Sequence, residues 1–535
     1  MNRRTFVRAA AAFTAAGLAD GCSGSAKQAP AAKSTALPST TATPRPTLTP
    51  TPTPTPIASV PQSANAADWT AFGRDLAGQL VRPGDADYAT SRLLYDPRFD
   101  SLTPAGIAFC ANPADVAECL AFVQRHGVAV TPRSGGHSYA GYSSGSGLVI
   151  DVTRMNTVSE VGGGTARVGA GARLVDLYSQ LDAYGVTVPG GSCPTVGVAG
   201  LALGGGIGVV SRAYGTLSDN IASVQMVTPD GTVRECDADR DSDLFWACRG
   251  GGGGNFGVAT AFTFTTHQSQ EMVLFLLKWP WSQTEQVIRA WQSWAPTAPD
   301  ELWSNLQALS NDDGSPGIQV GGTYLGSMSS AQEEIARLVA AVGSTPEGTP
   351  FLESHAQAMM LEAGCSNLTV AECHLPTQNP QGLLQRESEF AKSHIFTQPL
   401  GSDAIAVIVN AVEQRQAMAG VQGGIAFDAL GGAINRVPAA DTAFVHRDGL
   451  FMAQLTTVWE NDASLTEITR QENWLRNLHQ DLIPYASGQA YQNYLDPELA
   501  NWQQAYYGAN YSRLLQVRGT YDPNGIFRLP QGIGA

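Results

Sequence analysis

Three glycine-rich loops, each carrying a reactive or polar side chain, constrain this chain more than any other feature. The first reads Arg133-Ser134-Gly135-Gly136-His137-Ser138-Tyr139. The second runs from Gly190-Gly191-Ser192-Cys193-Pro194-Thr195-Val196-Gly197 through Gly204-Gly205-Gly206-Ile207-Gly208, and the third spans Arg249 to Gly257 with Asn255 near its end. Glycine lets backbone N–H groups approach an anion closely and turn with positive φ, which is how a diphosphate is cradled. Several such loops in one domain imply a long phosphate-bearing ligand. A flexible linker would not embed Arg, His, Cys and Asn at these positions. A Rossmann site would place its glycines after the first strand, opening a helix and ahead of an acidic residue, and no loop here has that whole context. A Walker loop fails too, because no Gly-Lys-Ser/Thr follows the glycines.

The elements between the loops mix strand and helix. Ile107 to Cys110 reads as a strand, followed by Asn112-Pro113-Ala114-Asp115, an N-cap, a proline at the first helical position and an acid in the first turn. Val116, Leu120 and Val123 recur at helical spacing until Gly127 stops the helix, and Val128 to Val130 reads as the next strand. A second helix covers about Leu174 to Tyr184, with Gly185 at its end. Val224 to Thr228 and Thr232 to Cys236 flank Pro229-Asp230-Gly231 as a hairpin, and Val258 to Thr266 closes the region as a strand. No self-similar period runs through the chain, which argues against a repeat protein.

Size and charge narrow the class. With 535 residues the chain has room for two or three domains. Its formal charge of −15 and lack of a basic block argue against a nucleic-acid partner. No apolar stretch reaches the roughly 20 residues that span a bilayer. The N-terminus (Arg3-Arg4-Thr5-Phe6-Val7-Arg8, then an apolar run from Ala9 to Ala19) reads as an export signal and resembles a twin-arginine leader. Cys22 is a candidate lipid-anchor cysteine: Gly21 suits that motif, whereas Leu18 stands one place too far upstream and Asp20 does not suit it. From Lys33 to about Gln62 the chain is almost all Thr, Pro, Ala and Ser, an extended tether that cannot bury a core. Apart from Cys22 and Cys193, the cysteines fall into three sequence-adjacent pairs, Cys110 with Cys119, Cys236 with Cys248 and Cys365 with Cys373; export makes disulfides an option, and buried thiols are the other.

His137 and Cys193 need separate weighing. A lone loop histidine is more often a hydrogen-bonding bystander, and a lone cysteine a small buried hydrophobe. Both, however, sit inside glycine loops where no packing role is evident. An imidazole and a thiolate facing one cofactor could each bond to it covalently.

The two motifs around His137 and Cys193 closely resemble those of the berberine bridge enzyme-like flavin oxidases, within the vanillyl-alcohol oxidase-type (PCMH-type) FAD-binding superfamily. Tyr506-Tyr507-Gly508-Ala509-Asn510-Tyr511-Ser512-Arg513-Leu514 and Tyr521-Asp522-Pro523 resemble the family's closing signature, and the likeness runs from about Phe99 to Ile533. It implies an α+β fold: a PCMH-type two-subdomain FAD-binding domain, a substrate domain with an antiparallel sheet covered by helices, and a C-terminal tail returning to the FAD domain. The corresponding organisation is an export signal over 1–32, a linker over 33–65, the FAD domain over 66–267, the substrate domain over 268–490 and the closing segment over 491–535.

The same resemblance implies FAD held by two covalent bonds, His137 to the 8α-methyl and Cys193 to C6. Arg133, Ser134, Gly135, Gly136 and Ser138 correspond to the diphosphate cradle. Gly197, Gly200, Gly205, Asp219, Asn220, Asn255, Gly257 and Val258 correspond to further flavin and ADP contacts, with Tyr507 and Asn510 returning to line the flavin. Val196 resembles forms of the family that let oxygen reach the flavin, hence an oxidase rather than a dehydrogenase. Tyr491-Gln492-Asn493-Tyr494-Leu495-Asp496 resembles the family's Tyr-x-Asn-Tyr-x-Asp motif, which makes Tyr494 the catalytic base and Tyr491 a shaper of the site. Free tyrosine titrates near about 10, so a base there needs a cation or hydrogen bonds to work near neutrality. No metal ligands are assigned.

The function expected is therefore an exported FAD oxidase, with Cys22 as its candidate lipid anchor, acting on an alcohol or carbohydrate-type small molecule and reducing O2 to H2O2. A dehydrogenase or an amine or heterocycle oxidase on the same scaffold is the alternative. From another class stands an envelope binding protein with a structural flavin. Of the tryptophans between Gln268 and Ser487 (Trp279, Trp281, Trp291, Trp294 and Trp303 among them), most are expected in the core and one or two on the pocket.

Overall fold

The computed structural model describes residues 63–535, apart from 312, 417 and 419–421. The expected leader, Cys22 and nearly all of the Thr/Pro-rich tract lie outside the described residues. The first helix, Ala66–Asp75, starts at a reciprocal cap: the Asn65 side chain accepts from Ala67 and Asp68 N–H, and the Asp68 carboxylate accepts from Asn65 N–H.

A four-stranded sheet follows, in the order Gln79–Val81, Gly106–Phe109, Leu148–Asp151, Val130–Arg133, with only the first pair antiparallel. The helix Pro113–His126 joins two of these strands, capped by Asn112 at its start and by Gly127 in the left-handed conformation at its end. The next strand begins at Val130 rather than Val128. Val128 N–H still bonds Val123 C=O, so the helix end consumes two residues that their apolar character alone assigns to the strand. A five-stranded antiparallel sheet completes this half, in the order Val158–Gly162, Thr165–Gly169, Val258–Thr265, Ile221–Val227, Val233–Cys236. The last two strands form the hairpin expected around Pro229-Asp230-Gly231. Residues from the C-terminal segment, including Tyr506, Leu514 and Phe527, share the core of this half. Phe527 bridges Val130, and Asn255 Oδ1 accepts from Ile533 N–H at 2.9 Å.

The other half is one seven-stranded antiparallel sheet, ordered Phe351–Glu353, Met272–Trp279, Pro316–Tyr324, Leu302–Ser310, Gly423–Ala429, Phe451–Trp459, Ser388–Phe396. One face packs on the helices Thr284–Trp294, Met328–Val342, Ser402–Arg415 and Leu465–Leu482 through Trp291, Phe427, Phe451 and Leu478. The other face looks toward the glycine loops. The two-residue strand period produces this division: Leu302, Leu306 and Ala308 face the helices, while Trp303, Asn305 and Gln307 face the opposite way. The fold is thus α+β. Of the five tryptophans, Trp279, Trp291 and Trp294 are core, Trp281 donates to Glu413 and Trp303 lines the space between the halves.

Arg212 joins the halves. Its guanidinium is fully buried and donates to the carbonyls of Leu302 (2.7 Å), Ala298 (2.6 Å), Pro296 (3.4 Å) and Leu430. Of the three cysteine pairs, Cys365–Cys373 is a disulfide. The Cys110 and Cys119 sulfurs stand 3.7 Å apart as buried thiols, and Cys236 and Cys248 are buried thiols as well. Among the described residues no helix is long and apolar enough to cross a membrane, and no group of three His, Cys, Asp or Glu is placed to hold a metal ion.

Candidate active site

The first and second glycine loops interlock. A Cβ on Gly135 would lie 2.1 Å from Gly197 N, and one on Gly197 would lie 2.1 Å from Gly135 N. Only two glycines allow that approach. It brings the turn before His137 against the turn after Cys193. His137 Nε2 meets Thr195 Oγ1 at 2.8 Å, tying the loops again, and the imidazole stacks on Tyr95 with ring centroids 4.2 Å apart. Ser134 Oγ donates to Ala170 C=O at 2.8 Å.

Both loops form one wall of a cavity of about 990 Å³ between the two halves. Of the residues singled out from sequence, Arg133, Ser134, Gly135, Gly136, His137 and Ser138 line it, as do Cys193, Val196, Gly197, Gly200, Gly257 and Val258. Arg133 pairs with Asp151 at 2.5 Å through Nε and donates Nη2 to Ser91 C=O, which leaves Nη1 buried without a partner. In front of Gly200 there is open space where a side chain would stand.

Six expected contacts lie elsewhere. Gly205 packs beneath Phe444 and Tyr491. Asp219 caps Thr216 N–H and pairs with Arg447 at 2.6 Å. Asn220 donates to Tyr214 and Thr216 carbonyls, and its oxygen meets His267 Nε2 at 2.7 Å. Asn255 closes its own glycine turn by donating to Gly251 and Gly252 carbonyls. Tyr507 Oη donates to Gly251 C=O, and Asn510 donates to the carbonyls of Ala439 and Thr442. Each spends its polar atoms on loop backbone or on a neighbouring side chain, so these positions brace the cavity from behind instead of facing it.

The opposite wall carries the tyrosines. Tyr494 lines the cavity, stacked on Tyr139 (5.5 Å between centroids) and edge-on to Tyr491 (5.1 Å). Gln454 Nε2 donates to Tyr139 Oη at 2.6 Å, fixing the ring under Tyr494. Tyr491, paired with Tyr494 at the catalytic site from sequence as the residue that shapes it, is unsuited to proton transfer itself. Its hydroxyl oxygen accepts from Gly206 N–H and from Asn493 Nδ2, both at 2.9 Å, and burial pushes its pKa up to about 12. It fixes the wall.

Sequence reasoning missed the floor. Asn305, Gln307, Asp428 and Gln454 point from three neighbouring strands into the cavity, and Glu362 joins them from the end of the helix His355–Glu362. Asn305 Nδ2 donates to Asp428 Oδ1 at 2.6 Å, and Gln319 donates to Gln307 at 2.7 Å. Burial raises the Glu362 carboxyl to about 7, and the Asp428 charge adds to the effect. The legible signal was the alternation Asn305-Leu306-Gln307-Ala308, polar and apolar in turn.

The family profile described as FAD binding domain matches residues 104–237, and that described as Berberine and berberine like matches residues 490–534. An uncharacterized FAD-linked oxidoreductase of Bacillus subtilis, YvdP, is 33% identical, over 86% of this chain and 98% of that protein. The chitooligosaccharide oxidase of Gibberella zeae is 29% identical over 80% of this chain and 87% of that protein. Among solved structures, the wild-type BBE-like 1 protein of Physcomitrella patens superposes with a TM-score of 0.79 at 31% identity, covering 87% of this chain and 98% of that one.

Proposed function

We propose that this chain, which belongs to the berberine bridge enzyme-like family of FAD-linked oxidoreductases, carries its FAD on His137 and Cys193 and oxidises a carbohydrate-type alcohol with Tyr494 as base. The observation that carries the reading is the convergence of those three side chains on one cavity, from positions 137, 193 and 494 of the sequence. The residues present fit FAD: the buried, unpartnered Nη1 of Arg133 calls for an anionic or carbonyl oxygen, and the open face of Gly200 leaves room for a flat group.

Each residue then has a task. His137 and Cys193 anchor the cofactor from two sides of one wall, which restricts its rotation and preorganises the site. Thr195, bonded to His137 Nε2, holds that ring in one orientation. Tyr494 takes the hydroxyl proton of the substrate while a hydride leaves the same carbon, so that an alcohol loses two electrons and two protons overall. When bound, the flavin would supply the hydride acceptor and the route by which the electrons reach O2, giving H2O2. Asn305, Gln307 and Gln454 offer amides to sugar hydroxyls across the floor. Similarity to a chitooligosaccharide oxidase supports a carbohydrate substrate. Val196, beside Cys193 on the cavity wall, supports oxygen as acceptor. The Arg3-Arg4 leader and the Cys365–Cys373 disulfide support export.

The test is an acid-denatured absorption spectrum beside an intact mass. Yellow denatured protein with one FAD added to the polypeptide mass is the result expected, and in His137→Ala the attachment persists through Cys193 alone. Colourless protein of bare polypeptide mass would overturn covalent attachment. Oxygen uptake that is absent while a dye is reduced by sugar would make the enzyme a dehydrogenase.

A further inference from the structure

One of four lysines in the chain, Lys392, lies buried on the strand Ser388–Phe396. Its ammonium has three protons, and three carboxylate oxygens stand ready to accept them: Asp496 Oδ1 at 2.9 Å, Asp496 Oδ2 at 2.8 Å and Glu498 Oε2 at 2.9 Å. Asp496 is as deeply buried as the lysine, whereas Glu498 reaches the surface and is also held by Arg476 at 2.8 Å. The Glu498 arm can yield to water; the Asp496 arm cannot. Asp496 closes the run Tyr491-Gln492-Asn493-Tyr494-Leu495-Asp496, and its backbone is engaged as well. Its N–H donates to Tyr506 Oη at 2.8 Å, and its C=O accepts from Gln531 Nε2 at 2.7 Å.

The strand that carries Lys392 is the last of the seven, and residues 487–496 wrap its outer edge. Ser487 N–H donates to Ile395 C=O and Ile395 N–H to Gln489 C=O, both at 3.0 Å. Tyr491 N–H then donates to Ser393 Oγ at 3.1 Å on the cavity side, where Ser393 is paired with the cavity-lining Gln454. Lys392 is paired with Leu455 and points to the helix-covered face. Two neighbouring residues of one strand thus hold the segment from opposite faces, one at 491 and one at 496, with Tyr494 on the span between them.

We infer that Lys392 is a positioning residue for Tyr494, acting through Asp496 from the face of the sheet opposite the cavity. The inference rests on the reading of Tyr494 as the base. Before Tyr494, the segment is tied by Tyr491 to Ser393 and by Asn493 Nδ2 to Leu201 C=O at 3.0 Å. Beyond it the ties are those of Asp496. With the first set alone, the chain from Tyr494 onward could pivot about Asn493; the buried ion pair fixes the far end. Such a pair adds little net stability over apolar packing, but it holds one register, because either charge left alone in that place is costly. Lys392 itself does not line the cavity, whereas Tyr494 and Leu495 do. A base that must meet one hydroxyl gains most from such an anchor, since a displacement of about 1 Å can cost about 10²-fold in rate.

Hydrogen exchange and anaerobic flavin reduction, both on the FAD-loaded full chain, test the anchor and its consequence separately. In Lys392→Met the orphaned Asp496 carboxylate is drawn toward water, and the peptide containing Tyr494 and Leu495 should exchange about tenfold faster. Tyr494 N–H, which donates to Tyr491 C=O at 2.9 Å, reports directly. Reduction is driven with a chitooligosaccharide or glucose, whichever the wild type oxidises faster. Its limiting rate should fall by about 10–10²-fold while KM stays within about threefold, because the floor amides are untouched. Should Lys392→Met not fold, Asp496→Asn keeps the side-chain shape and leaves Lys392 its bond to Glu498; it should show the same changes to a smaller degree. Unchanged exchange would overturn the anchor. Faster exchange across the whole sheet, with flavin loss and a raised KM together, would make Lys392 a general stabiliser and overturn positioning. Faster exchange confined to the peptide with an unchanged reduction rate would also overturn it, provided that Tyr494→Phe slows reduction. If Tyr494→Phe changes nothing, or the wild type oxidises neither sugar, the reading of the enzyme fails while exchange still decides the anchor.

Discussion

The two walls of the cavity are built on opposite plans. On one side, the loops around His137 and Cys193 hold their shape by backbone contact, with Gly135 and Gly197 filling the place where side chains would be. On the other, Asn305, Gln307, Asp428 and Gln454 project from a rigid sheet whose far face is buried among helices. Backbone recognition needs particular residues next to one another in sequence. Sheet recognition needs only a register among strands that lie far apart in sequence. The first wall should therefore be intolerant of any change, and the second should tune substrate without losing the fold. Gly197→Val tests the intolerant wall most severely. Its Cβ would overlap the Gly135 backbone at N and Cα as well as Ser134 Oγ, and the backbone cannot swing aside, so a loss of at least about 4 kcal/mol is expected. Soluble yield and flavin content check it, and near-normal yield of coloured protein would show that the loops can part.

Smaller effects come from single groups acting across the cavity. Tyr494→Phe keeps the stack on Tyr139 and removes only the hydroxyl. Colour should be retained while flavin reduction slows by about 10²–10⁴-fold, the usual worth of a positioned proton acceptor. Rapid mixing with substrate under anaerobic conditions measures it, and an unchanged rate would remove Tyr494 as base. Arg212→Met tests whether the two plans depend on each other. It deletes a cation that reaches from the glycine-loop half to carbonyls of the seven-stranded half, at a cost of roughly 3 kcal/mol once relief of a buried charge is counted against the orphaned carbonyls. Urea unfolding should show an earlier transition and, if the arginine is the main joint, two separate ones.

The difference in plan also explains what could be read from the sequence. Asn112, Pro113 and Gly127 delimit their helix because caps act within a few residues, and the hairpin at Pro229-Asp230-Gly231 was legible for the same reason. Val128 misled because the cap of the preceding helix holds it, a preference that hydrophobicity does not encode. Asp219, Asn220, Asn255, Tyr507 and Asn510 lie near the site in motif but turn their polar groups to the carbonyls and side chains behind it, a choice that depends on three-dimensional neighbours.

The smallest expected effect belongs to the sheet side and is one of pH. Glu362 is held up to about 7 by burial first and by Asp428 second, against an ordinary value of 4.5. A carboxyl whose folded pKa is raised binds protons more tightly when folded. The folded state is then favoured below the unfolded value and loses that advantage as pH rises from about 4.5 to 7. Glu362→Gln keeps the shape and removes the titration. The variant should be more stable than the wild type at pH 8, by about 1 kcal/mol after allowance for water in the cavity, and indistinguishable from it at pH 4. Melting temperatures across that range decide the matter. A gain at pH 8 alone would show that the cavity floor holds the Glu362 carboxylate short of solvation, a cost that a substrate donor placed beside it would relieve; equal stability at every pH would mean that water already reaches it.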